Sequence, residues 1–435
     1  MSSRRICPEC NQEYSGYYWC KTCNLKHFQN DFNNWTSGND KIDKFIQDAQ
    51  LNVDANWKVI EWIPYDRFKD VKQIGKGGFG TIHYARWIDG YIDKWDIENQ
   101  QWARYDKDIE VALKKFDNFV NFNDVLNEME IHLKTRAQSA SIRFYGITQD
   151  PETHSYMMVL EYAEDGNLRE YLKVNFKNIN WEQKLYNLSD LSSNLRNIHK
   201  LDIIHQDFHP GNILSYDFKS NLQISDFGLS KMIKVNPNNP EKKNIFGVLP
   251  YIAPEVLVGD EEYTKAADVY SFGIIAYEMI TGFPPYPDIP HDKDLAMKIC
   301  NGLRPKIPFH TPKLVTRTIM RCWDARVTHR PTFEELYDEF MKYFHDYRDD
   351  KNSEIRIQIE NSEKLSKNLG LTTTTTTTPL NYQTHPQAIY TSRLLNFSKL
   401  PKPRNEENFE RELEELTEST SALSIVAFKL LVPDF

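Results

Sequence analysis

The chain has 435 residues, with 53 lysines and arginines against 62 aspartates and glutamates and a formal net charge of −9. This acidic balance argues against a nucleic-acid-binding protein held mainly by charge. Apolar residues make up 40% of the chain and aromatic residues 13%, too many for a disordered protein and enough for one to three domains. No apolar run approaches the ~18 residues of a membrane span, and residues 1–5 lead into cysteines rather than a signal-peptide core. We therefore expect a soluble cytoplasmic protein, with a nuclear location left open.

Four of the six cysteines form two closely spaced pairs near the start of the chain. Two residues separate Cys7 from Cys10 and Cys20 from Cys23, and nine residues lie between the pairs. This spacing is typical of a zinc site in which four thiolates complete a tetrahedron and leave no open position for chemistry. So short a segment cannot bury enough apolar surface to fold alone, whereas structural zinc contributes ~10–16 kcal/mol. The pattern predicts structural Zn²⁺, with a redox or disulfide pair as the alternative. His27 could substitute as a ligand, but we favour a bystander role for it.

Composition divides the chain into four parts. Residues 1–30 are the predicted zinc-binding module, and residues 31–64 are a linker with a short amphipathic helix. Residues 65–348 alternate strand-like and helix-like segments and are the only part long enough for a catalytic domain. Residues 349–435 contain seven consecutive threonines and a Pro- and Glu-rich end, so we predict a low-complexity, mostly disordered tail.

A glycine-rich loop begins the catalytic part, with the sequence Gly75-Lys76-Gly77-Gly78-Phe79-Gly80. In a dinucleotide-binding fold the third glycine would open a helix. Residues 82–87 instead resemble a strand, and Asp89-Gly90 is a hairpin-turn dipeptide. We therefore favour a loop between two antiparallel strands, whose N–H groups close over phosphates while Ile82 covers an adenine ring.

Further motifs follow the loop in a fixed order. They comprise a strand lysine, a helical glutamate, a strand leading into a linker, an Asp–Asn loop, a metal-binding triplet and a late Glu–Arg pair: Val111-Ala112-Leu113-Lys114, Glu128, 157–163, His205 to Asn212, Asp226-Phe227-Gly228, Ala253-Pro254-Glu255 and Arg330. With these motifs the chain resembles the eukaryotic protein kinases, most nearly their tyrosine-kinase-like branch, over residues 66–345.

The resemblance implies an α+β, bilobal fold. A small β-rich N-lobe (65–160) and a larger helical C-lobe (164–348) would hold ATP between them, and the zinc module would be additional. It also implies a pairing of Arg330 with Glu255. His132, Phe144, His205 and Phe227 fall where the family stacks its regulatory spine.

The resemblance also implies roles for individual residues. Asp207 would accept the proton of a protein hydroxyl, Lys114 held by Glu128 would position the nucleotide, and Asn212 with Asp226 would hold Mg²⁺. The nucleotide would contact residues of the glycine loop, the strands beside it, the linker and the floor of the pocket: Ile74, Gly75, Lys76, Gly77, Gly78, Phe79, Gly80, Ile82, Ala112, Lys114, Leu160 as gatekeeper, Glu161, Ala163 and Leu214.

Several positions depart from the family pattern. Gln206 stands where many kinases have an arginine that captures a phosphate on the activation loop, and residues 231–250 contain no Ser, Thr or Tyr. We therefore expect no control by phosphorylation of this loop. His209 and Val248 replace the usual Lys and Thr of serine/threonine kinases without matching the tyrosine-kinase pattern. A serine/threonine protein substrate in intracellular signalling is still favoured.

Two other functions stay open. The sequence H-x-D-x-H-P-G-N around Asp207 resembles the catalytic loop of small-molecule phosphotransferases, which generally lack the Ala-Pro-Glu segment and the Arg330-type partner. A nucleotide-binding pseudokinase scaffold is the second alternative, although such proteins usually lose a core Lys, Asp or Asn and none is lost here.

The segment between Gly80 and Lys114 is about twice as long as the kinase pattern needs. It contains Trp95 and Trp102, with Asp89-Gly90 as a turn. We favour an enlarged β-hairpin on the small lobe, with a docking surface for a partner protein as the alternative.

Overall fold

A computed structural model of the chain describes residues 6–15, 18–76, 80–116, 122–232, 245–259, 263–368 and 384–418. The chain divides into two compact units, an N-terminal unit (Met1–Tyr162) and a C-terminal unit (Ala163–Phe435). Most strands belong to the first unit and most helices to the second. This division confirms the predicted kinase-like class, with a sheet-rich N-terminal part and a helical C-terminal part.

The N-terminal unit consists of three helices and eight strands within the described ranges. In chain order they are α1 (Lys21–Asp31), α2 (Asp40–Asn52), β1 (Glu61–Trp62), β2 (Phe68–Lys76), β3 (Gly80–Trp87), β4 (Tyr91–Asp96), β5 (Gln101–Tyr105), β6 (Ile109–Phe116), α3 (Phe122–Arg136), β7 (Phe144–Gln149) and β8 (Tyr156–Glu161). The predicted amphipathic helix of the linker is α2, which begins at an Asn39 cap that accepts backbone N–H bonds from Lys41 and Ile42.

Six of these strands form one sheet in the order β1-β7-β8-β6-β3-β2. The pairs are antiparallel except for β1 with β7. Alternate residues of each strand point to the same side of the sheet. On one side these residues are apolar and form a buried cluster that includes Ala85, Trp87, Val111 and Leu113. The opposite set of alternating residues in β6 includes Lys114.

The extra segment after β3 is an antiparallel hairpin, β4–β5, as predicted, with Trp95 opposite Trp102. Both tryptophans pack on the Cys module, which we define as residues 6–31. The ring of Trp95 stacks on His27 with 3.8 Å between ring centroids, and Trp102 stacks on Phe28 at 4.4 Å. The apolar surface of the hairpin is therefore used within the chain, and the alternative of a partner-docking surface at these tryptophans finds no support.

The C-terminal unit contains eight helices and six short strands in the described part of the chain. They are α4 (Leu168–Asn175), α5 (Trp181–Lys200), β9 (Ile203–Ile204), β10 (Ile213–Leu214), β11 (Gln223–Ile224), β12 (Lys231–Met232), β13 (Ile245–Gly247), α6 (Pro254–Val258), α7 (Lys265–Thr281), α8 (Lys293–Cys300), α9 (Lys313–Cys322), α10 (Phe333–Asp349), α11 (Glu354–Asn368) and β14 (Arg393–Leu395).

Helix α7 forms the centre of this unit and is buried on almost every side. A Cβ atom on its Gly273 would lie only 2.7 Å from the Cβ of Cys322, so the absence of a side chain permits close packing on α9. Each described helix is too short or too polar to serve as a transmembrane segment.

The prediction of a mostly disordered tail is wrong for residues 350–368 and 384–418. Helix α11 buries Ile355 and Ile359, which are four residues apart on one face, and Leu395 and Phe409 are buried further on. The composition is polar on average, but these few apolar side chains meet complementary surfaces of the C-terminal unit. The threonine run lies outside the described residues.

Candidate active site

Lys114 and Glu128 form a buried ion pair inside the N-terminal unit. Lys114 lies on β6 opposite Met158 of β8, and its ammonium group donates a hydrogen bond to the Glu128 carboxylate on α3. The two residues are only 5% and 2% exposed. Removing two charges from water is costly, so a buried pair of this kind is weak evidence for a stabilising role and fits a functional one. The predicted pairing is confirmed.

The residues around the glycine loop lie on an antiparallel β2–β3 hairpin, with Gly75 opposite Ile82. A strand therefore follows the loop, which excludes the dinucleotide-binding interpretation. A Cβ on Gly80 would lie 2.0 Å from the carbonyl oxygen of Lys115, so the strand tolerates only glycine there. Gly77, Gly78 and Phe79 lie outside the described residues.

The other predicted nucleotide contacts fall in both units. Ile74 and Lys76 end β2, and Ala112 of β6 pairs with Leu160 of β8, which is buried. Glu161 ends β8, while Ala163 and Leu214 belong to the C-terminal unit. Within the N-terminal unit, the structure thus places Ala112 and Leu160 opposite each other on neighbouring strands.

The predicted catalytic loop is tied together by its own hydrogen bonds. The side-chain amide of Asn212 donates to the backbone carbonyl of Asp207 at 2.9 Å, and the Asn212 carbonyl accepts the backbone N–H of Ser225 at 2.9 Å. Asp226 follows directly and adopts a left-handed backbone with φ +61°. Such conformations cost energy in non-glycine residues and cluster at functional sites. Hydrogen bonds therefore connect Asp207 and Asn212 within the loop, and they connect the loop to Ser225, the residue before Asp226.

Asp268 supports this loop from the start of α7. Its fully buried carboxylate accepts the backbone N–H groups of His205 at 2.9 Å and Gln206 at 3.2 Å, and a ring N–H of His199 at 2.9 Å. Gln206 itself has φ +67°. The role of Asp268 was not predicted from the sequence.

His209 lies against the carboxylate of Asp207. Its Nδ1 accepts the backbone N–H of Gly211 at 3.0 Å, so in the neutral ring the proton is on Nε2. Nε2 lies 3.6 Å from the Asp207 Oδ1 atom. Thus His209, which the sequence marked only as a departure from the kinase pattern, presents an N–H group beside Asp207.

The predicted spine residues form one ring pair in each unit. His132 and Phe144 have centroids 6.3 Å apart, and His205 and Phe227 have centroids 5.1 Å apart. Burial lowers the pKa of His205, and its Nε2 N–H donates to the Ser225 carbonyl at 3.1 Å. Neutral His205 is thereby held against the Asp226-Phe227-Gly228 triplet.

The predicted ion pair between Glu255 and Arg330 is also present. The guanidinium donates to both carboxylate oxygens, at 2.7 and 2.8 Å, and to the carbonyls of Asp324 and Ala266. This fully satisfied, bidentate pair fixes the end of the activation segment to the helical body.

The four clustered cysteines converge at the other end of the chain. Their Sγ atoms lie within 4.8 Å of one another, with Cys7–Cys23 at 3.8 Å and Cys10–Cys20 at 3.5 Å. Tetrahedral Zn²⁺ with bonds of about 2.3 Å places its sulfur ligands about 3.8 Å apart. All four thiols are free, which disfavours the disulfide alternative. His27 instead bonds the Glu9 carboxylate at 3.0 Å, in agreement with a bystander. The cluster fits a metal ion.

Comparisons with known proteins agree with this geometry. The family model for protein tyrosine and serine/threonine kinases matches residues 68–340. "Tyrosine-protein kinase SPK-1" of Girardia tigrina is 28% identical over 278 residues, which cover 62% of this chain and 52% of that protein. "Probable serine/threonine-protein kinase pats1" of Dictyostelium discoideum is 29% identical over 289 residues, which cover 64% of this chain and 8% of that protein. The chain thus matches about half of one relative and less than a tenth of the other.

The family match spans well over half of the chain and includes every kinase motif described above. The chain belongs to the protein kinase family.

Proposed function

We propose that this chain is an ATP-dependent protein kinase that transfers the γ-phosphate to a protein hydroxyl, with serine or threonine favoured over tyrosine. The observation that carries the proposal is the complete set of catalytic groups, each held by its own partner. Lys114 is bonded to Glu128, and Asn212 is bonded to the backbone of Asp207. A scaffold that had lost catalysis would have no need of these buried polar groups.

Each residue of the site has a separate role in the proposed phosphoryl transfer. The family implies ATP and Mg²⁺, which supply the phosphoryl group and the positive charge around it. Asn212 and Asp226 are the residues that would hold Mg²⁺, since amide and carboxylate oxygens are its preferred protein ligands. The Asp207 carboxylate accepts the proton of the substrate hydroxyl. His209 offers its Nε2 N–H beside that carboxylate, in place of the lysine usual in serine/threonine kinases.

We further propose that activity does not depend on phosphorylation of the activation loop. Ser230, the first hydroxyl residue after the metal-binding triplet, is 2% exposed and donates to the His205 carbonyl at 2.9 Å. Gln206 provides no guanidinium to bind a phosphate. The loop between Glu255 and the triplet would then take its active form by packing. Membership of the tyrosine-kinase-like branch and a role in intracellular signalling complete the proposal.

For the Cys module we propose one structural zinc ion bound by Cys7, Cys10, Cys20 and Cys23. The backbone N–H of Gln12 lowers the pKa of Cys10, whereas burial raises the pKa of Cys20 and Cys23. Gathering four thiols, three of them buried, has no evident benefit without a metal, and four protein ligands would leave zinc no open position. The ion would therefore hold the fold rather than take part in catalysis.

A phosphorylation assay on a peptide array, followed by phosphoamino-acid analysis, tests the proposed kinase activity. The full chain with Mg·ATP should label hydroxyl residues in peptides, and Asp207→Asn should not. Labelling of small amino alcohols or aminoglycosides but not of peptides would identify a small-molecule phosphotransferase. Binding of Mg·ATP by calorimetry with no transfer to any acceptor would identify a pseudokinase.

A further inference from the structure

A segment of the chain far from the catalytic loop in sequence lies directly on it within the C-terminal unit. Strand β14 pairs antiparallel with β13 of the activation segment, with Phe246 opposite Leu394 and Gly247 opposite Arg393. Added strands of this kind bind through the backbone and depend on a few side-chain pockets for specificity. Strand β14 therefore binds to the activation segment in the way that an added peptide strand would.

The residue just before β14 is Ser392, and its hydroxyl group reaches the catalytic base. Ser392 Oγ donates a hydrogen bond to the Oδ2 atom of Asp207. It also lies 3.2 Å from His209 Nε2. Because Nδ1 of His209 accepts from Gly211, Nε2 is the donor in the neutral ring and Ser392 Oγ accepts from it. A carboxylate that accepts the hydroxyl proton and a neighbouring group that orients the oxygen are what a phosphoryl acceptor requires.

Two flanking residues anchor the segment. The Tyr390 carbonyl accepts from Arg169 at 2.9 Å, its ring lies 4.6 Å from the Arg169 guanidinium, and its hydroxyl donates to the Pro285 carbonyl at 2.8 Å. Arg169 is itself buried and donates to Tyr251 Oη at 2.7 Å. On the other side Leu395 is 5% exposed, whereas Leu394 is 49% exposed. These contacts hold the hydroxyl group of Ser392, rather than that of the exposed Thr391, against the Asp207 carboxylate.

We propose that Ser392 is a site of intramolecular autophosphorylation and that residues 389–395, the acceptor segment, exclude protein substrates until the transfer occurs. The inference rests on the proposed kinase function and names serine as an acceptor. Attachment to the same chain gives the segment a high effective concentration, so it needs few contacts to compete with free substrates.

The phosphoryl transfer needs only Ser392, Asp207 and Mg·ATP. Ser392 Oγ forms a bond to the γ-phosphorus of Mg·ATP, the bond from that phosphorus to the β–γ bridging oxygen breaks, and ADP leaves. The hydroxyl proton passes to Asp207. The new phosphoserine carries about two negative charges beside the Asp207 carboxylate, so repulsion favours departure of the acceptor segment.

The first test follows phosphate incorporation by the full chain after phosphatase treatment. With Mg·[γ-³²P]ATP, mass spectrometry should locate phosphate on Ser392, and the initial rate per enzyme should stay constant over about 100-fold dilution, as expected for a tethered acceptor. Ser392→Ala should remove this label, and the neighbouring Thr391→Ala should keep it. A rate per enzyme that rises with concentration would overturn the intramolecular step.

The same assay separates this inference from the proposed function. If an added peptide library is phosphorylated but Ser392 is not, the inference is wrong and the kinase function stands. If neither the library nor the chain is labelled, the kinase function itself fails. A synthetic peptide of residues 387–397 should also be phosphorylated on its Ser392 position, which checks acceptor chemistry without any variant that must fold.

The second test concerns competition with substrates. Leu395→Ala should weaken docking and raise the initial rate of dephosphorylated enzyme on a peptide substrate at least about threefold, mainly through a lower KM. Leu394→Ala removes an exposed side chain of the same size from the same strand and should leave the rate unchanged. Equal rates for both variants and the unmutated chain, at unchanged thermal stability, would show that the segment does not exclude substrate.

Discussion

The carboxylate of Asp268 accepts the backbone N–H of His205 at 2.9 Å, although 63 positions separate the two residues. The same carboxylate accepts the backbone N–H of Gln206, whose left-handed backbone directly precedes Asp207, the proposed catalytic base. An unfavourable backbone conformation persists where its surroundings hold it in place. Asp268 is therefore a positioning residue for the catalytic loop, acting through the backbone rather than on the substrate.

Asp268→Asn should lower kcat by about 10- to 100-fold and leave the KM for ATP nearly unchanged. The amide keeps one acceptor oxygen but turns an N–H₂ group toward a backbone N–H, so the loop loses one of its two anchors. Steady-state kinetics on a peptide substrate, with circular dichroism to confirm folding, would measure this. A change confined to the KM for ATP would contradict the positioning role.

Lys114→Met should abolish phosphoryl transfer, since loss of this charge removes several kcal/mol of transition-state stabilisation. The variant also leaves Glu128 buried without its cation, so its melting temperature should fall. Lys115→Met is the matched control: this neighbouring lysine is paired with Asp150 at 2.7 Å at a partly exposed site. Initial rates for the two variants should differ by orders of magnitude, and near-full activity of Lys114→Met would refute its assignment.

The purified chain should contain about one zinc ion by elemental analysis. Changing Cys7 and Cys10 together to Ser should remove it, while Cys300→Ser, at a buried thiol distant in sequence, should retain it. Loss of the metal should also lower thermal stability and change tryptophan fluorescence, because Trp95 and Trp102 pack on the module. Freshly prepared, unchelated protein without zinc would contradict the site.

Asp190 provides a prediction for the pH dependence of stability. Burial raises its pKa to about 6, although it accepts the Leu222 backbone N–H at 2.8 Å. In an unfolded chain the pKa of an aspartate is about 3.9. The folded state therefore keeps the proton on Asp190 up to a higher pH than the unfolded state does. The contribution of Asp190 to stability is therefore greatest below about pH 4 and is lost as the pH rises through about 6.

Asp190→Asn keeps an acceptor for Leu222 and removes the buried charge. Its melting temperature should exceed that of the unmutated chain by several degrees at pH 7.5 and by much less at pH 4.5. Calorimetric scans at the two pH values would measure the difference. An equal shift at both would assign the effect to something other than titration of this carboxyl group.

We predict that the enzyme is active without phosphorylation of the activation loop. The test is clearest in a variant whose acceptor segment no longer competes with substrate. In a Leu395→Ala background, phosphatase treatment should leave the rate on a peptide within about twofold, because no loop phosphate orders the site. Adding Gln206→Arg should not accelerate the enzyme, since no phosphate would meet the new charge. A large loss on dephosphorylation, reproduced by Ser230→Ala, would contradict this prediction.

The sequence by itself determined the parts of the site that are defined by local spacing. Asp207 and Asn212 lie five positions apart in one loop. Cys7 and Cys10 flank a turn, and Cys20 and Cys23 lie at the start of α1, so the contacts within each pair are set by the chain near them. The alternation of β6 similarly places Lys114 opposite the apolar face of the sheet. Even the longer-range pairs, such as Glu255 with Arg330, could be predicted because the family resemblance supplied the partner.

Only the tertiary structure decided which surfaces those local elements meet. The packing of Trp95 on His27, the hold of Asp268 on the catalytic loop, and the position of Ser392 on Asp207 join residues far apart in the chain. Ser392 is 185 positions from Asp207, in a segment whose average composition predicts disorder. Periodicity and composition record a residue's neighbours along the chain, whereas docking depends on a few side chains such as Leu395 fitting a surface formed by other elements. That fit exists only after the rest of the C-terminal unit has folded.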